Sequence, residues 1–343
     1  MNGIERVQAT LTGQAVDRRA VAPVLSLYGA RLTGCPLDRY YTDSEFYARG
    51  QAAVADLFQP DLLFSSFSFA SVGAAFGGNL FFSGNQAPNL RRPAILSPEE
   101  WDTLVWPRHD TNPHLLYFQE TIQRLVEAHG SEVLVAAPVV PPFDVPTLVM
   151  GIEGWLRLVL TDRSRARGVL EKCVPFFVEM ANSYFEAGAA CVVAPCGFMS
   201  PSVVTRDIAE HFSRPALAAA LPQLKGPIVL HHVGAPMLAH LDLLTGLPST
   251  LGLAVDRQDD LDQARAIAGP DLTIFGGPSV FRMPGYTASE IEADCRALLE
   301  NRRQDARFIL CTAGPDVPWE TPPENIQALR RTAESFSGRS VPA

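Results

Sequence analysis

Pro227-Ile228-Val229-Leu230-His231-His232-Val233-Gly234 begins as an apolar, β-favouring run without a polar face and ends on two adjacent imidazoles. A strand that shows no apolar/polar alternation is one covered by protein on both faces, as in a parallel sheet flanked by helices. Working outward, similar runs begin near Val21, Asp61, Val133, Ala190, Thr250, Leu272 and Phe308, which with Pro227 makes eight candidate strands. Helical stretches separate most of them: after a short helix at Gly3–Thr12 come residues 43–58, 113–128, 163–187, 259–268, 288–303 and 323–335. Cap signals such as Thr161-Asp162 and Thr287-Ala288-Ser289-Glu290 start several of these, and Gly130, Gly188 and Gly269 end others. Eight buried strands alternating with helices predict an α/β protein, a single (β/α)8 TIM barrel.

The length of 343 residues suits one large barrel or two ordinary domains, and the absence of a linker selects one. Residues 1–337 are assigned to the barrel and 338–343 to a frayed tail. Between strands two and three the stretch Phe69 to Asn112, rich in Gly, Pro and aromatics, reads as an insertion serving as a lid or partner surface.

A net charge of −9 with no basic run lacks the phosphate attraction that nucleic-acid binding requires. The N-terminus has no apolar core of a secretory signal, and no stretch of about 18 uninterrupted apolar residues spans a membrane. These features predict a cytoplasmic protein. The six cysteines lack CxxC spacing and read as reduced thiols.

Reactive groups of such barrels sit at the C-terminal ends of strands. By that position the catalytic candidates are His231, His232 and Asp256. Neighbouring strand residues point to opposite faces, so one imidazole is expected in the mouth and the other outside it. Either supplies an acid, base or ligand near neutral pH, while the bland alternative is a pair of hydrogen-bonded structural histidines. Asp256 is read as a base or an orienter of histidine, or as a loop cap. Substrate-binding candidates are Tyr28, Phe67, Ser68, Phe143, Gly276 and Gly277, the last two as a backbone N–H site without a phosphate motif. Cys196 and Cys311 end strands four and eight; each alone reads as a small buried hydrophobe, and with His231 they can supply S and N ligands to zinc.

Several landmarks in order along nearly the whole chain resemble the uroporphyrinogen decarboxylase family, which includes cobalamin-dependent methyltransferases serving coenzyme M and other acceptors. They are Val16-Asp17-Arg18, Tyr41-Thr42-Asp43, Glu186-Ala187-Gly188-Ala189, Leu230-His231-His232-Val233-Gly234, Gly252-Leu253-Ala254-Val255-Asp256 and Thr321-Pro322-Pro323-Glu324-Asn325-Ile326. The resemblance implies a (β/α)8 barrel.

The departures separate its branches. The decarboxylases carry a paired-Arg segment after strand one and an Asp near the end of strand two, for a polycarboxylate substrate. Here those stretches read Val24-Leu25-Ser26-Leu27-Tyr28-Gly29 and Phe67-Ser68-Phe69, without the counter-charges. The methyltransferases place zinc on a His-x-Cys and a later Cys. His231 holds the first place, but Val233 and Pro315 stand where the cysteines belong, so zinc is absent or has moved to ligands such as Cys196, His232 and Cys311.

The resemblance therefore implies a corrinoid-dependent methyltransferase component. It would move a methyl group between a small methylated substrate, such as a methoxy compound, or an acceptor and a corrinoid. No Asp-x-His-x-x-Gly corrinoid signature is present, so the cobalamin would come from a separate corrinoid protein, with His231, positioned by Asp256, as the acid. A homodimer is compatible with this reading. The alternatives are a decarboxylase-like lyase with a rebuilt site and a non-catalytic tetrapyrrole-binding barrel.

Overall fold

Each of the eight apolar runs becomes a barrel strand in the computed structural model, which describes residues 1–336; the expected tail, 338–343, lies outside the described residues. In chain order the strands are β1 (Val21–Ala22), β2 (Leu62–Phe64), β3 (Asn79–Phe81), β4 (Asn89–Arg92), β5 (Leu134–Pro138), β6 (Cys191–Pro195), β7 (Ile228–His231), β8 (Thr250–Ala254), β9 (Thr273–Gly276) and β10 (Phe308–Cys311). Eight of them form one sheet in the order β1-β10-β9-β8-β7-β6-β5-β2, with every neighbouring pair parallel. The ring is nearly closed: between β1 and β2 the Asp61 N–H donates to the Val21 carbonyl and the Val21 N–H to the Asp61 carboxylate, both at 2.8 Å. The chain is an α/β (β/α)8 TIM barrel.

Side-chain alternation builds two cores. Ala22, Phe64, Ala136, Val193, Val229, Ala254, Phe275 and Ile309 fill the barrel, and Val7 and Leu11 of helix Gly3–Thr12 join them at its N-terminal end. Val21, Leu63, Val135, Val192, Leu230, Leu253, Ile274 and Leu310 face the helices. His231 lies two residues beyond Val229 and so follows the inward row.

The helices start where short polar side chains accept their free N–H groups. Asp162 accepts from Arg165 N–H at 3.0 Å to open Arg163–Glu186, and Thr287 and Glu290 form a capping box on Ala288–Asn301. Elements that hydrophobic periodicity did not predict include Tyr28–Thr33 and a π turn, Ala209–Ser213, leading into Arg214–Ala220.

Residues 69–112 hold helix Phe69–Ala75, the antiparallel β3–β4 pair and a 3-10 turn at Pro98–Thr103. The stretch packs onto the barrel: the Ile95 N–H donates to the Val149 carbonyl, and Phe76 and Trp106 pack on Phe176 at ring distances of 5.0 and 5.5 Å. No helix among the described residues is long and apolar enough to cross a membrane.

Candidate functional site at the barrel mouth

β7 ends at His231, whose carbonyl accepts the Cys196 N–H from the end of β6 at 2.9 Å. The chain then bends into the left-handed region at Val233 (φ +61°) and Gly234 (φ +83°). Val233 is β-branched, so this conformation costs about 1–3 kcal/mol and needs neighbours to hold it. Two imidazoles do so: Val233 N–H donates to His231 Nδ1 and Gly234 N–H to His232 Nδ1, both at 3.0 Å.

This bend overturns the expected alternation of the two histidines. Their rings stack, with centroids 4.6 Å apart and planes 20° from parallel, because strand geometry has already ended at His231. His231 keeps 5 % of its surface open and His232 only 1 %. Burial holds His231 well below the ordinary histidine range, His232 adds to that effect, and Asp256 opposes it. His231 is therefore neutral near pH 7. With Nδ1 accepting from Val233, its proton belongs on Nε2, where it is a hydrogen-bond donor.

Asp256 does not position His231. Its Oδ2 lies 3.3 Å from His232 Nδ1, and its Oδ1 accepts the Gln258 N–H at 3.0 Å. Burial pushes this carboxyl up; the Gln258 N–H, together with His232 when its Nδ1 carries a proton, outweighs that and holds it below the ordinary range. Asp259 fixes the loop by accepting the N–H groups of Asp256, Met237 and Leu238 at 3.0–3.2 Å. His232 Nε2 is buried without a hydrogen-bond partner among the described residues.

The other candidates divide. Phe67 lies in the barrel interior, 6.0 Å from Phe64 and 5.8 Å from Phe69, and gives that end an aromatic wall. The Ser68 hydroxyl is tied to Ser71 at 2.6 Å, and Phe143 is buried in the core between sheet and helices. Tyr28 opens a helix instead of ending a strand, and its hydroxyl is occupied by the Thr321 carbonyl at 2.7 Å and by Arg31 at 2.8 Å. At Gly277 any Cβ would collide with the Cys311 carbonyl, and at Gly276 it would press on the Phe308 ring. Close approach of β9 and β10 accounts for both glycines without an anion.

Cys196, His231 and Cys311 do not form a metal site. Cys196 faces the helical layer and Cys311 the barrel interior, so the sheet separates their sulfurs. Burial pushes the Cys311 thiol up to about 12 and Cys196 higher still, as expected of thiols packed among apolar side chains. No group of three His, Cys, Asp or Glu side chains suited to a metal gathers among the described residues. The residues present do not fit zinc.

Two carboxyls at this end escaped the sequence reading. Asp144, beyond β5, accepts the Gly197 and Phe198 N–H groups at 2.8 and 3.0 Å, and burial pushes it up to about 7. Asp316, beyond β10, accepts the Leu27 and Val317 N–H groups at 2.8 and 2.9 Å, and burial pushes it up to about 8. Both join neighbouring loops without a counter-cation among the described residues. Their strand-end positions were a signal, but nothing in Phe143-Asp144-Val145 or Pro315-Asp316-Val317 marks burial.

The roof over the histidines comes from the same bend. A Cβ on Gly234 would meet the Phe281 ring and Pro315 at 3.1 Å, and these belong to the loops after β9 and β10. The turn after β7 thus reaches past β8 across the mouth.

Comparison with known proteins agrees with the sequence landmarks. A model of the Uroporphyrinogen decarboxylase (URO-D) family matches residues 2–336. No curated protein matches the sequence. Among solved structures, a methyltransferase from Methanosarcina mazei superposes with a TM-score of 0.86 at 18% identity, covering 98% of this chain and 99% of that one. A putative vitamin-B12 independent methionine synthase from Listeria monocytogenes gives 0.55 at 13% identity, covering 92% and 96%. At these identities the structural likeness shows the fold.

Proposed function

The chain belongs to the uroporphyrinogen decarboxylase family, and on that premise we propose that it is a methyltransferase component, moving a methyl group between a small methylated substrate or acceptor and a corrinoid held by a separate protein. One observation carries the reading: the mouth holds a neutral imidazole and, among the described residues, no buried guanidinium for a polycarboxylate, Arg282 on the loop after β9 being exposed. The buried arginines among the described residues, Arg6, Arg18, Arg19 and Arg302, bond to Asp17, Asp61, Asp262 and backbone carbonyls away from that end. Arg31, nearer the mouth, is engaged by the carbonyls of Trp319 and Thr321. The full-length likeness to a protein named a methyltransferase supports the same branch.

In this proposal His231 Nε2–H donates a hydrogen bond to the heteroatom that carries or receives the methyl group, and Phe64, Phe67 and Phe69 exclude water around it. The corrinoid supplies the cobalt that exchanges the methyl group, and zinc has no part. A carboxy-lyase reading keeps one observation in its favour, the Asp144 carboxyl pushed up to about 7, which can protonate a carbanion left by loss of carbon dioxide. The test is the absorbance of the methyl-cobalt bond with cob(I)alamin or a partner corrinoid protein and a panel of methyl ethers, amines and thioethers. Methylcobalamin formation supports transfer. Carbon dioxide release from pyrrole carboxylates, with no methyl-cobalt signal in either direction, favours the lyase.

A further inference from the structure

His232 Nδ1 has two partners that cannot both be satisfied. The Gly234 N–H points at it from 3.0 Å, and the Asp256 carboxylate lies 3.3 Å away. A nitrogen of a neutral imidazole holds either a lone pair or a proton. With the lone pair there, Gly234 donates and Asp256 faces no proton. With the proton there, Asp256 accepts and the Gly234 N–H faces another donor. The turn's position decides which arrangement holds, and Val233 strains it at φ +61°, while Gly234 at φ +83° lies so near the loops that carry Phe281 and Pro315 that an added Cβ would come within 3.1 Å of both.

We propose that the Val233–Gly234 turn is a lid whose closure selects the tautomer of His232. Closed, the turn keeps Gly234 N–H on Nδ1 and the ring proton on Nε2, so both stacked imidazoles present N–H donors. Lifted, it withdraws Gly234; the water admitted takes the Nε2 proton and returns one to Nδ1, whose N–H then donates a hydrogen bond to the Asp256 carboxylate. The Nε2 that is unpartnered in the closed form then carries a lone pair and becomes a base. Entry to the mouth and the chemical character of His232 are thereby set by one movement.

The inference rests on the mouth being the reactive site, and its test reads ring nitrogens, so failure of methyl transfer leaves it standing and the reverse also holds. The full chain labelled with 15N-histidine is examined at pH 8 by long-range 1H–15N correlation, with the His232 signals assigned through His232→Gln. Wild type is expected to carry the proton on Nε2. Gly234→Ala adds a methyl group against Phe281 and Pro315, lifts the turn, and moves the proton to Nδ1; adding Asp256→Asn to that variant returns it to Nε2. Val233→Gly relieves the strain and keeps the N–H groups, so Nε2–H persists, and this variant serves if Gly234→Ala does not fold. A wild-type or Val233→Gly proton on Nδ1, or a folded Gly234→Ala that keeps Nε2–H, overturns the proposal.

Discussion

Asp61, at the N-terminal end of β2, and Asp256, beyond the C-terminal end of β8, are both buried aspartates, and the molecule treats them differently. Asp61 accepts from Arg6 at 2.6 Å, from Arg18 at 2.6 and 2.9 Å and from the Val21 N–H at 2.8 Å, while Asp17 accepts from Arg6 Nε and Nη2 at 2.7 Å and the Met1 and Asn2 carbonyls take further Arg6 donors. Asp256 has one backbone N–H and competes with Gly234 for one imidazole nitrogen. The same end of the barrel holds Asp144 and Asp316, without a cation partner among the described residues, the unpartnered Nε2 of His232 and a valine in a left-handed conformation. Complete pairing at one end closes the barrel. Incomplete pairing at the other leaves groups free to meet a ligand, which is where barrels of this class work.

The largest effect expected from breaking this contrast is on stability. Asp61→Asn leaves Arg6 and Arg18 buried without their shared charge, and urea denaturation is expected to show a loss of about 3–5 kcal/mol, with methyl transfer per folded molecule unchanged. His231→Gln is expected to do the converse, lowering kcat by about 10²–10⁴-fold with a smaller stability change than Asp61→Asn.

A third expectation concerns pH. Asp144 and Asp316 are pushed up to about 7 and about 8 in the fold, so the folded chain binds more protons than the unfolded one. Their stabilising effect is complete below the ordinary carboxyl value of about 4 and is lost as pH rises through about 7 for Asp144 and about 8 for Asp316, at up to about 1.4 kcal/mol per pH unit for each group. Asn at either position is expected to flatten the pH dependence of the unfolding free energy across that window. The smallest effect belongs to Val233→Gly, which removes the left-handed strain and is expected to raise stability by about 1 kcal/mol; a loss instead would show that the valine side chain holds the turn.

The barrel was legible because its strands are buried on both faces: runs read from Val21, Ala190 and Phe308 became β1, β6 and β10 within a residue. The family was legible in landmarks from Val16-Asp17-Arg18 to Thr321-Pro322-Pro323-Glu324. The positions of the candidate residues were legible only in part. Strand alternation could not foresee two stacked imidazoles, because the backbone that produces them sits on a valine, a residue that propensity keeps out of the left-handed region. The pairing of Asp256 with His232 follows from that same bend. Tyr28 was misplaced because a six-residue helix is too short to leave a periodic signal, and Asp144 and Asp316 were missed because burial of a loop carboxyl depends on neighbours far away in sequence.

The proposed function assigns methyl transfer to His231 at the mouth and leaves the charge cluster at the opposite end to hold the barrel together. The most direct measurement is the rate of methyl-cobalt absorbance with one methyl donor, for wild type, His231→Gln and Asp61→Asn at equal folded concentration. The expected result is a signal in wild type and Asp61→Asn and a rate about 1% of wild type or less in His231→Gln. Equal rates in all three, or no signal from wild type with cob(I)alamin and with a partner corrinoid protein, would contradict the account.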